Sequence, residues 1–322
     1  MIKYHLDFTK SMNSPEKFVQ ETIQSLRETI KGKTIIATSG GVDSTVAAII
    51  GNMALGEQLI CVYVDTGYMR KGEGEEIRKI YSDLSLNLRY IEAGPEFFEA
   101  LAGVEEPETK RKIIGHKFIE IFERQAKIED AEYLIQGTIA PDWIESGGGL
   151  RDTIKSHHNV GGLPEKFGLK LVEPLRDLYK DEIRELAQYL DFPTANRQPF
   201  PGPGLAIRVM GEATPERTEI VREACAIAEE EIEKADMPRP WQYFAVLLPV
   251  KSVGVHGDVR AYGYTIAIRS VESLDAMTAH YSRIPHEVLE KISLRITNTM
   301  KEKVNRVVYD ITNKPPGTIE WE

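Results

Sequence analysis

Short apolar runs alternate with longer amphipathic segments through residues 1–204. The short runs are TIIAT at 34–38, LICVYVD at 59–65, LRYIEA at 88–93 and YLIQGT at 133–138. Most are rich in Ile, Val or Tyr, which is typical of parallel strands buried on both faces. Between two of them, apolar residues recur at helical spacing: Ile114, Phe118, Ile121, Phe122 and Ala126. Residues 181–190 show the same spacing, so the alternation predicts an α/β fold with a doubly wound parallel sheet.

The run PFPGPG at 199–204 interrupts this alternation, because proline and glycine break regular structure. We therefore predict two domains, 1–204 and 205–322. In the second, Thr214 and Pro215 form a helix start whose pattern continues to about Lys234. Three further runs predict strands: FAVLLPVKSVGV, YGYTIAIRS and NRVVYDIT. The segment EVLEKISLRITNTM, between the last two, predicts a helix. The second domain is therefore predicted to be a smaller α+β domain.

The second domain has few elements to cover both faces of its small sheet. Strands such as FAVLLPV are apolar on both sides, so we expect this domain to form a homodimer. The terminal PPGTIEWE cannot continue a helix or strand, and such a tail frays unless it folds back onto the protein.

Charge and composition limit the possible partners. The net charge of −10 opposes non-specific binding to nucleic acid or to an anionic membrane. No apolar stretch is long enough for a membrane span or forms a signal-peptide core, so we expect a cytoplasmic protein. The two cysteines, Cys61 and Cys225, lie in separate apolar periodic segments, which predicts buried thiols and neither a disulfide nor a zinc site.

The stretch SGGVDS, Ser39 to Ser44, stands where the first strand becomes a helix. Glycines there let backbone N–H groups converge with the helix dipole on an anion, and phosphate is the natural ligand. The carboxylate of Asp43 would repel a phosphate unless Mg²⁺ stood between them, so it predicts a metal. The alternative, a glycine turn with a capping Asp or Ser, explains the glycines but not both serines and the acid together.

Three other polar groups carry open alternatives. Asp65 ends the second strand, where it could accept from a ribose, face a metal or form an Asx turn. Asp142 and Glu145 are three residues apart and could share one side for proton transfer, or could lie in a solvated turn. His157 and His158 are adjacent, and extended neighbours point in opposite directions, so a joint metal site is not expected.

Together these motifs resemble a known family. SGGVDS after a first strand, with VDTG ending the second, resembles the PP-loop of the N-type ATP pyrophosphatases. Further segments narrow the resemblance to the synthetase portion of the GMP synthase family, from about residue 15 onward: RKIIG, QGTIAPDWIES, IKSHHNVGGLP, PFPGPGLAIRV, SVGVHGDVR and RVVYDITNKPPGTIEWE.

The resemblance implies an adenine nucleotide alpha hydrolase-like fold and an ATP-dependent carbon–nitrogen ligase of purine biosynthesis. In that family XMP is adenylated on O2 with release of pyrophosphate, and ammonia then displaces AMP at C2 to give GMP. The PP-loop implies an ATP site with Mg²⁺ on Asp43; its residues are Ser39, Gly40, Gly41, Val42, Asp43, Ser44, Thr45 and Asp65.

The resemblance also implies catalytic and substrate residues. Asp142, Glu145 and Lys155 belong to a mobile lid over ATP, in which the acids deprotonate XMP or ammonia and the lysine compensates phosphate charge. The resemblance further implies that the C-terminal tail is an ordered lid on the nucleotide site. The XMP contacts that it implies are Arg111, Asp258, Lys314, Ile319 and Glu320.

One departure from the family concerns the ammonia source. Fused members carry a glutaminase with a nucleophilic Cys on a glycine-flanked turn, whereas Cys61 lies in a strand pattern and Cys225 in a helix pattern. Only about 33 residues precede the first strand. We therefore expect the synthetase subunit of a two-subunit enzyme, with a separate glutaminase as partner.

Two other functions fit parts of the pattern. A tRNA-modifying PP-loop adenylating enzyme would need reactive cysteines and a basic RNA surface, which the two isolated cysteines and the net charge of −10 disfavour. A non-catalytic nucleotide sensor would be expected to lack the acids and lysines around the phosphates, whereas Asp43, Asp142, Glu145 and Lys155 are present.

Overall fold

The computed structural model describes residues 12, 14–140, 168–192, 198–256, 258–274 and 276–322. It contains two compact units that interleave along the chain. The first unit comprises Met1–Asp65, Gly74–Ala93 and Gly115–Arg197, and the second comprises Thr66–Glu73, Gly94–Ile114 and Gln198–Glu322. The predicted domains, 1–204 and 205–322, instead divide the chain at a single point. The assignment of ATP to the first and of dimerisation and XMP to the second stays a prediction.

The first unit is built on a five-stranded parallel sheet. Its strands are β1 (Thr34–Ala37), β2 (Leu59–Asp65), β3 (Leu88–Glu92), β4 (Tyr133–Ile135) and β5 (Lys170–Val172), in the order β3-β2-β1-β4-β5. The chain runs outward from β1 in both directions, which confirms the doubly wound sheet. In such folds ligands bind at the carboxyl ends of the strands where the order reverses, here between β1 and β4.

Helices connect these strands and cover them with apolar side chains. Their bounds are α1 (Pro15–Thr29), α2 (Val42–Leu55), α3 (Glu73–Asp83), α4 (Gly94–Ala100), α5 (Pro107–Ile128) and α6 (Lys180–Tyr189). Ile114, Ile121, Phe122 and Ala126 are buried on α5, and Cys61 is buried on β2, as the periodicity predicts. Strand β5 has only three residues and was not predicted, because so short an apolar run gives no periodic signal.

The second unit contains a four-stranded mixed sheet. Its elements are α7 (Pro215–Lys234), β6 (Gln242–His256), β7 (Val259–Glu272), β8 (His280–Tyr281), α8 (His286–Thr299) and β9 (Val304–Asp310). The predicted start of α7 is confirmed, because the Thr214 side chain accepts from the Arg217 N–H at 3.3 Å. Strands β6 and β7 form a long antiparallel hairpin, and β9 pairs with β7 in parallel through the α8 crossover. The two-residue β8 was not predicted.

The PFPGPG run belongs to the second unit, and its last two residues, Pro203 and Gly204, are buried. Gly204 adopts φ +64°, and a Cβ there would lie 2.4 Å from the Tyr68 carbonyl oxygen, so this contact requires glycine. The Leu205 N–H donates to that carbonyl at 2.8 Å. The Phe200 ring lies near two guanidinium groups, those of Arg70 at 4.2 Å and Arg208 at 5.2 Å. The run therefore binds the segment 66–73, which the sequence pattern assigned to the first domain.

The distal part of the β6–β7 hairpin is exposed. Pairing of β9 with β7 begins at Tyr264, so the hairpin beyond that point has two strands only. Val253, Val255, Val259 and Tyr262 are 57–69% exposed there. Asn305 supports the base of this extension, since its Nδ2 donates to the carbonyls of Ser252 and Ala261. In the described part of the chain, no helix has the length and apolar character to cross a membrane.

Candidate active site

The predicted glycine-rich turn connects β1 to α2 at the carboxyl end of the central strand. Gly40 adopts φ +75°, a conformation that residues with a Cβ seldom take. Gly41 is the N-cap of α2 and makes no side-chain cap hydrogen bond. The N–H groups of the first helical turn, which lack intrahelical acceptors, are therefore left for another partner.

Hydroxyl groups hold the shape of this loop. The Ser44 Oγ donates to the Gly41 carbonyl at 3.1 Å and accepts from the Ser39 N–H at 3.3 Å. The Ser39 Oγ accepts from the Gly41 N–H at 3.3 Å, and the Thr45 hydroxyl donates to the Gly41 carbonyl at 2.9 Å. Ser39 and Gly41 are exposed, so the outer face of the loop is accessible to solvent while hydroxyl hydrogen bonds hold its conformation.

Gly137, after β4, lies against the same loop. A Cβ at this position would be 3.1 Å from the Ser44 Cα and 3.2 Å from the Asp43 carbonyl oxygen. A side chain at this position would push the two backbones apart by a few tenths of an ångström. Gly137 was not predicted as a site residue, although its signal, a glycine just after an apolar strand run, is present in YLIQGT.

Asp65 ends β2 and is held by a tyrosine on the neighbouring strand. The Tyr90 hydroxyl donates to the Asp65 Oδ2 at 2.5 Å. Burial and this hydrogen bond both raise the pKa of Tyr90 above its usual value, so the phenol stays protonated and continues to donate. Tyr90 was not predicted as a site residue, because its position depends on the register that pairs β2 with β3.

Three buried cations organise the C-terminal tail, which we define as residues 311–322. Lys110, Arg208 and Arg269 are each no more than 1% exposed. Arg208 donates to the Glu320 carboxylate at 2.8 and 3.1 Å. Lys110 donates to the Glu322 carboxylate and also to the carbonyls of Ala206 and Val209.

Arg269 holds the tail through its backbone. Its guanidinium donates to the carbonyls of Thr312, Thr318 and Ile319 and pairs with the Asp310 carboxylate at 3.2 Å. The Trp321 indole N–H donates to the same carboxylate at 3.0 Å. The tail therefore folds back onto the protein and does not fray, as the resemblance implied.

Burial governs the charges at the end of the tail. Desolvation lowers the pKa of Lys110 and raises the pKa of Glu322, and the ion pair between them opposes both changes. Arg208, also fully buried, has a raised pKa because the Glu320 carboxylate outweighs the cost of desolvation. Without the tail, Lys110 and Arg208 would lose their carboxylate partners, and an unpaired buried charge is strongly destabilising.

Four of the five predicted XMP contacts lie in or against the tail. The Lys314 Nζ donates to the Ala276 carbonyl at 2.8 Å, and the Arg111 guanidinium donates to the Glu322 backbone oxygen. Ile319 and Glu320 contact Arg269 and Arg208 as described above. These contacts are internal to the protein and leave the predicted roles untested.

Asp258 is the exception. It lies exposed in the turn between β6 and β7. Arg269, which binds the tail, lies eleven residues farther along β7. At ~3.3 Å per residue this separates the two by roughly 35 Å along the strand. Within one chain, Asp258 therefore lies far from the tail.

The predicted lid residues Asp142, Glu145 and Lys155, and the histidines 157 and 158, lie outside the described residues. Among the residues that are described, no group of three or more His, Cys, Asp or Glu side chains could hold a metal.

A doubly wound parallel sheet with a glycine-rich loop at its switch point, here with the motif SGGVDS, is the arrangement of the PP-loop class of nucleotide-binding proteins. A family model described as NAD synthase matches residues 11–113, and one described as GMP synthase C terminal domain matches residues 230–321.

Close relatives cover nearly the whole chain. The B subunit of the glutamine-hydrolyzing GMP synthase of Thermococcus kodakarensis is 61% identical over 95% of this chain and 99% of its own length. The corresponding B subunit of Methanopyrus kandleri is 61% identical over 97% of this chain and 100% of its own. The glutamine-hydrolyzing GMP synthase of Thermotoga petrophila is 55% identical over 94% of this chain but only 62% of its own length. The chain belongs to the family of GMP synthase B subunits, the synthetase subunits of two-subunit GMP synthases.

Replacing Arg269 by lysine should destabilise the second unit. Lysine keeps the charge but lacks the planar guanidinium that donates to three carbonyls and pairs with a carboxylate. We therefore expect the free energy of unfolding to fall by about 2–4 kcal/mol. Chemical denaturation measures this loss. The matched control is Arg295→Lys in the same unit, whose side chain is 38% exposed and pairs with Glu230 and Glu231; it should change stability by less than about 1 kcal/mol. Equal losses in both variants would contradict the role given to Arg269.

Proposed function

We propose that this chain converts XMP to GMP in two steps. ATP adenylates the O2 oxygen of XMP with release of pyrophosphate, and ammonia then displaces AMP at C2. A separate glutaminase subunit supplies the ammonia. The observation that carries this proposal is the glycine-rich loop between β1 and α2 in a chain 61% identical to the B subunit of a GMP synthase.

The ATP phosphates are assigned to the loop of residues 39–45. An uncapped helix N-terminus and a positive-φ glycine supply converging N–H donors, which suit a pyrophosphate that gains charge as the α–β bond breaks. Asp65, at the end of β2, is assigned to the ATP ribose. Its carboxylate can accept from a ribose hydroxyl while it also accepts from Tyr90.

Magnesium fits the donor chemistry of the same loop. Asp43 offers one half-buried carboxylate in the first turn of α2, next to the hydroxyls of Ser44 and Thr45. Mg²⁺ usually takes one or two carboxylates and completes its shell with phosphate oxygens and water. When bound, it would neutralise phosphate charge, and Asp43 is the residue that would hold it.

Asp142 and Glu145 are assigned to proton transfer from XMP or ammonia, and Lys155 to phosphate charge, on the family resemblance alone. Carboxylates and a lysine are suited to these tasks.

XMP is assigned to the tail of the second unit. Lys314 suits the XMP phosphate, because an ammonium has three donors and the Ala276 carbonyl takes one of them. Glu320 is assigned to the purine N–H groups, and Arg111 and Ile319 to the same ligand. Asp258 is assigned to XMP on the family resemblance, and within one chain it lies far along β7 from the tail.

A homodimer through the second unit is also proposed. The exposed apolar side chains of the distal hairpin, Val253, Val255 and Tyr262 among them, form a face that a second copy would cover.

Neither cysteine can act as a glutaminase nucleophile. Burial raises the pKa of the Cys61 thiol to about 12 and also raises that of Cys225. A thiol in such surroundings stays protonated and inert. The same burial disfavours a tRNA-thiolating function, which depends on reactive cysteines.

The purified chain should therefore form GMP, AMP and pyrophosphate from ATP, Mg²⁺, XMP and ammonium, and should not use glutamine. A coupled assay with each nitrogen source decides this. No GMP from ammonium would refute the proposed reaction, whereas rapid turnover with glutamine and this chain alone would refute the need for a separate glutaminase.

Asp43→Asn should keep the fold but lose most of the adenylation rate, since an amide cannot offer Mg²⁺ the same charge. We expect a loss of about 100-fold or more in kcat/KM, by analogy with the removal of one electrostatic stabiliser. The matched control is Asp83→Asn, an exposed position near the end of α3 in the same unit. A wild-type rate for Asp43→Asn at limiting Mg²⁺ would show that Asp43 does not hold the metal.

A further inference from the structure

A cluster of aromatic and charged side chains surrounds Asp65 at the carboxyl ends of β2 and β3. Asp65 pairs in register with Glu92, and Tyr63 with Tyr90. Because alternate residues of a strand share a face, all four side chains lie on one side of the sheet. The Tyr63 and Tyr90 rings stack with their centroids 5.3 Å apart.

The Tyr90 ring is fixed from two further directions. The Arg78 guanidinium lies 3.7 Å above its centroid and is itself held by the Glu92 carboxylate at 2.7 Å. A Cβ at Gly74 would lie 2.1 Å from the Tyr90 hydroxyl oxygen, so the backbone of α3 closes over the hydroxyl. The phenol therefore has one position, and in that position it donates to Asp65 Oδ2 at 2.5 Å.

We infer that Tyr90 is a positioning residue for ATP, acting through Asp65. A carboxylate at the end of a strand can rotate about χ1 and χ2, and each rotamer aims its oxygens differently. A short, charge-assisted hydrogen bond from an immobile phenol selects one rotamer before the nucleotide arrives. The inference rests on the proposed assignment of Asp65 to the ATP ribose and names the residue that prepares it for that contact.

Tyr90→Phe tests this role with little disturbance. Phenylalanine keeps the stack on Tyr63 and the contact with Arg78, and only the hydroxyl is lost. In the ammonium-dependent assay with the full chain, we expect the KM for ATP to rise about tenfold or more, while kcat and the KM for XMP change less than about twofold. A purely structural role would lower the denaturation midpoint without this selective change in KM.

Two further variants make the outcome decisive. Tyr133→Phe is the matched control, because it removes a hydroxyl at the start of β4, where the Lys170 ammonium contacts it at 3.4 Å; its KM for ATP should equal that of the wild type. In an Asp65→Ala background, Tyr90→Phe should have no additional effect on the KM for ATP.

The failures of the two claims are distinguishable. If Asp65→Ala leaves the KM for ATP unchanged, the assignment of Asp65 to ATP is wrong and the inference fails with it. If Asp65→Ala raises this KM but Tyr90→Phe does not, or if the Tyr90→Phe effect persists without Asp65, the inference alone is overturned.

Discussion

The second unit depends on the pairing of three cations that have no access to water. Lys110, Arg208 and Arg269 receive their carboxylate and carbonyl partners mainly from the last twelve residues and from Asp310. Removing one partner of a buried pair costs about 3–5 kcal/mol, because the remaining charge stays uncompensated. The tail is therefore a structural part of the unit, and its proposed ligand contacts are built on side chains that the fold already holds in place. Deleting the whole tail would confuse loss of ligand contacts with loss of stability.

The proposed phosphate site of the first unit is built by different means. Backbone N–H groups at a strand-to-helix turn supply fixed partial charges, and hydroxyls of Ser39, Ser44 and Thr45 brace the turn. Gly40 and Gly137 permit the backbone conformation and the close packing that this requires. A phosphate site made of backbone groups needs few charged residues, which is consistent with a chain whose net charge is −10.

Local patterns predicted much of this arrangement. The buried strands, the turn before α2 and the Thr214 cap are set by residues close together in sequence, so periodicity and capping rules identified them. The tail contacts were different: Lys110 and Glu322 are 212 residues apart, and nothing local marks them as partners. The contact of Tyr90 with Asp65 depends on strand register, which a single strand does not reveal. The grouping of residues 66–73 and 94–114 with the second unit depends on tertiary packing. The position of Asp258 far along β7 from the tail likewise followed only from the extent of the hairpin.

The central claim is that the second unit holds XMP through its tail while the first unit holds ATP. Calorimetry of each nucleotide with Lys314→Met tests it most directly, because methionine keeps an unbranched apolar stem but removes the ammonium, and the three buried cations keep their partners. The exposed Lys301→Met in the same unit is the control. The account predicts that Lys314→Met weakens XMP binding by about 30-fold or more, the equivalent of about 2 kcal/mol, and leaves ATP affinity unchanged. Unchanged XMP affinity would contradict it.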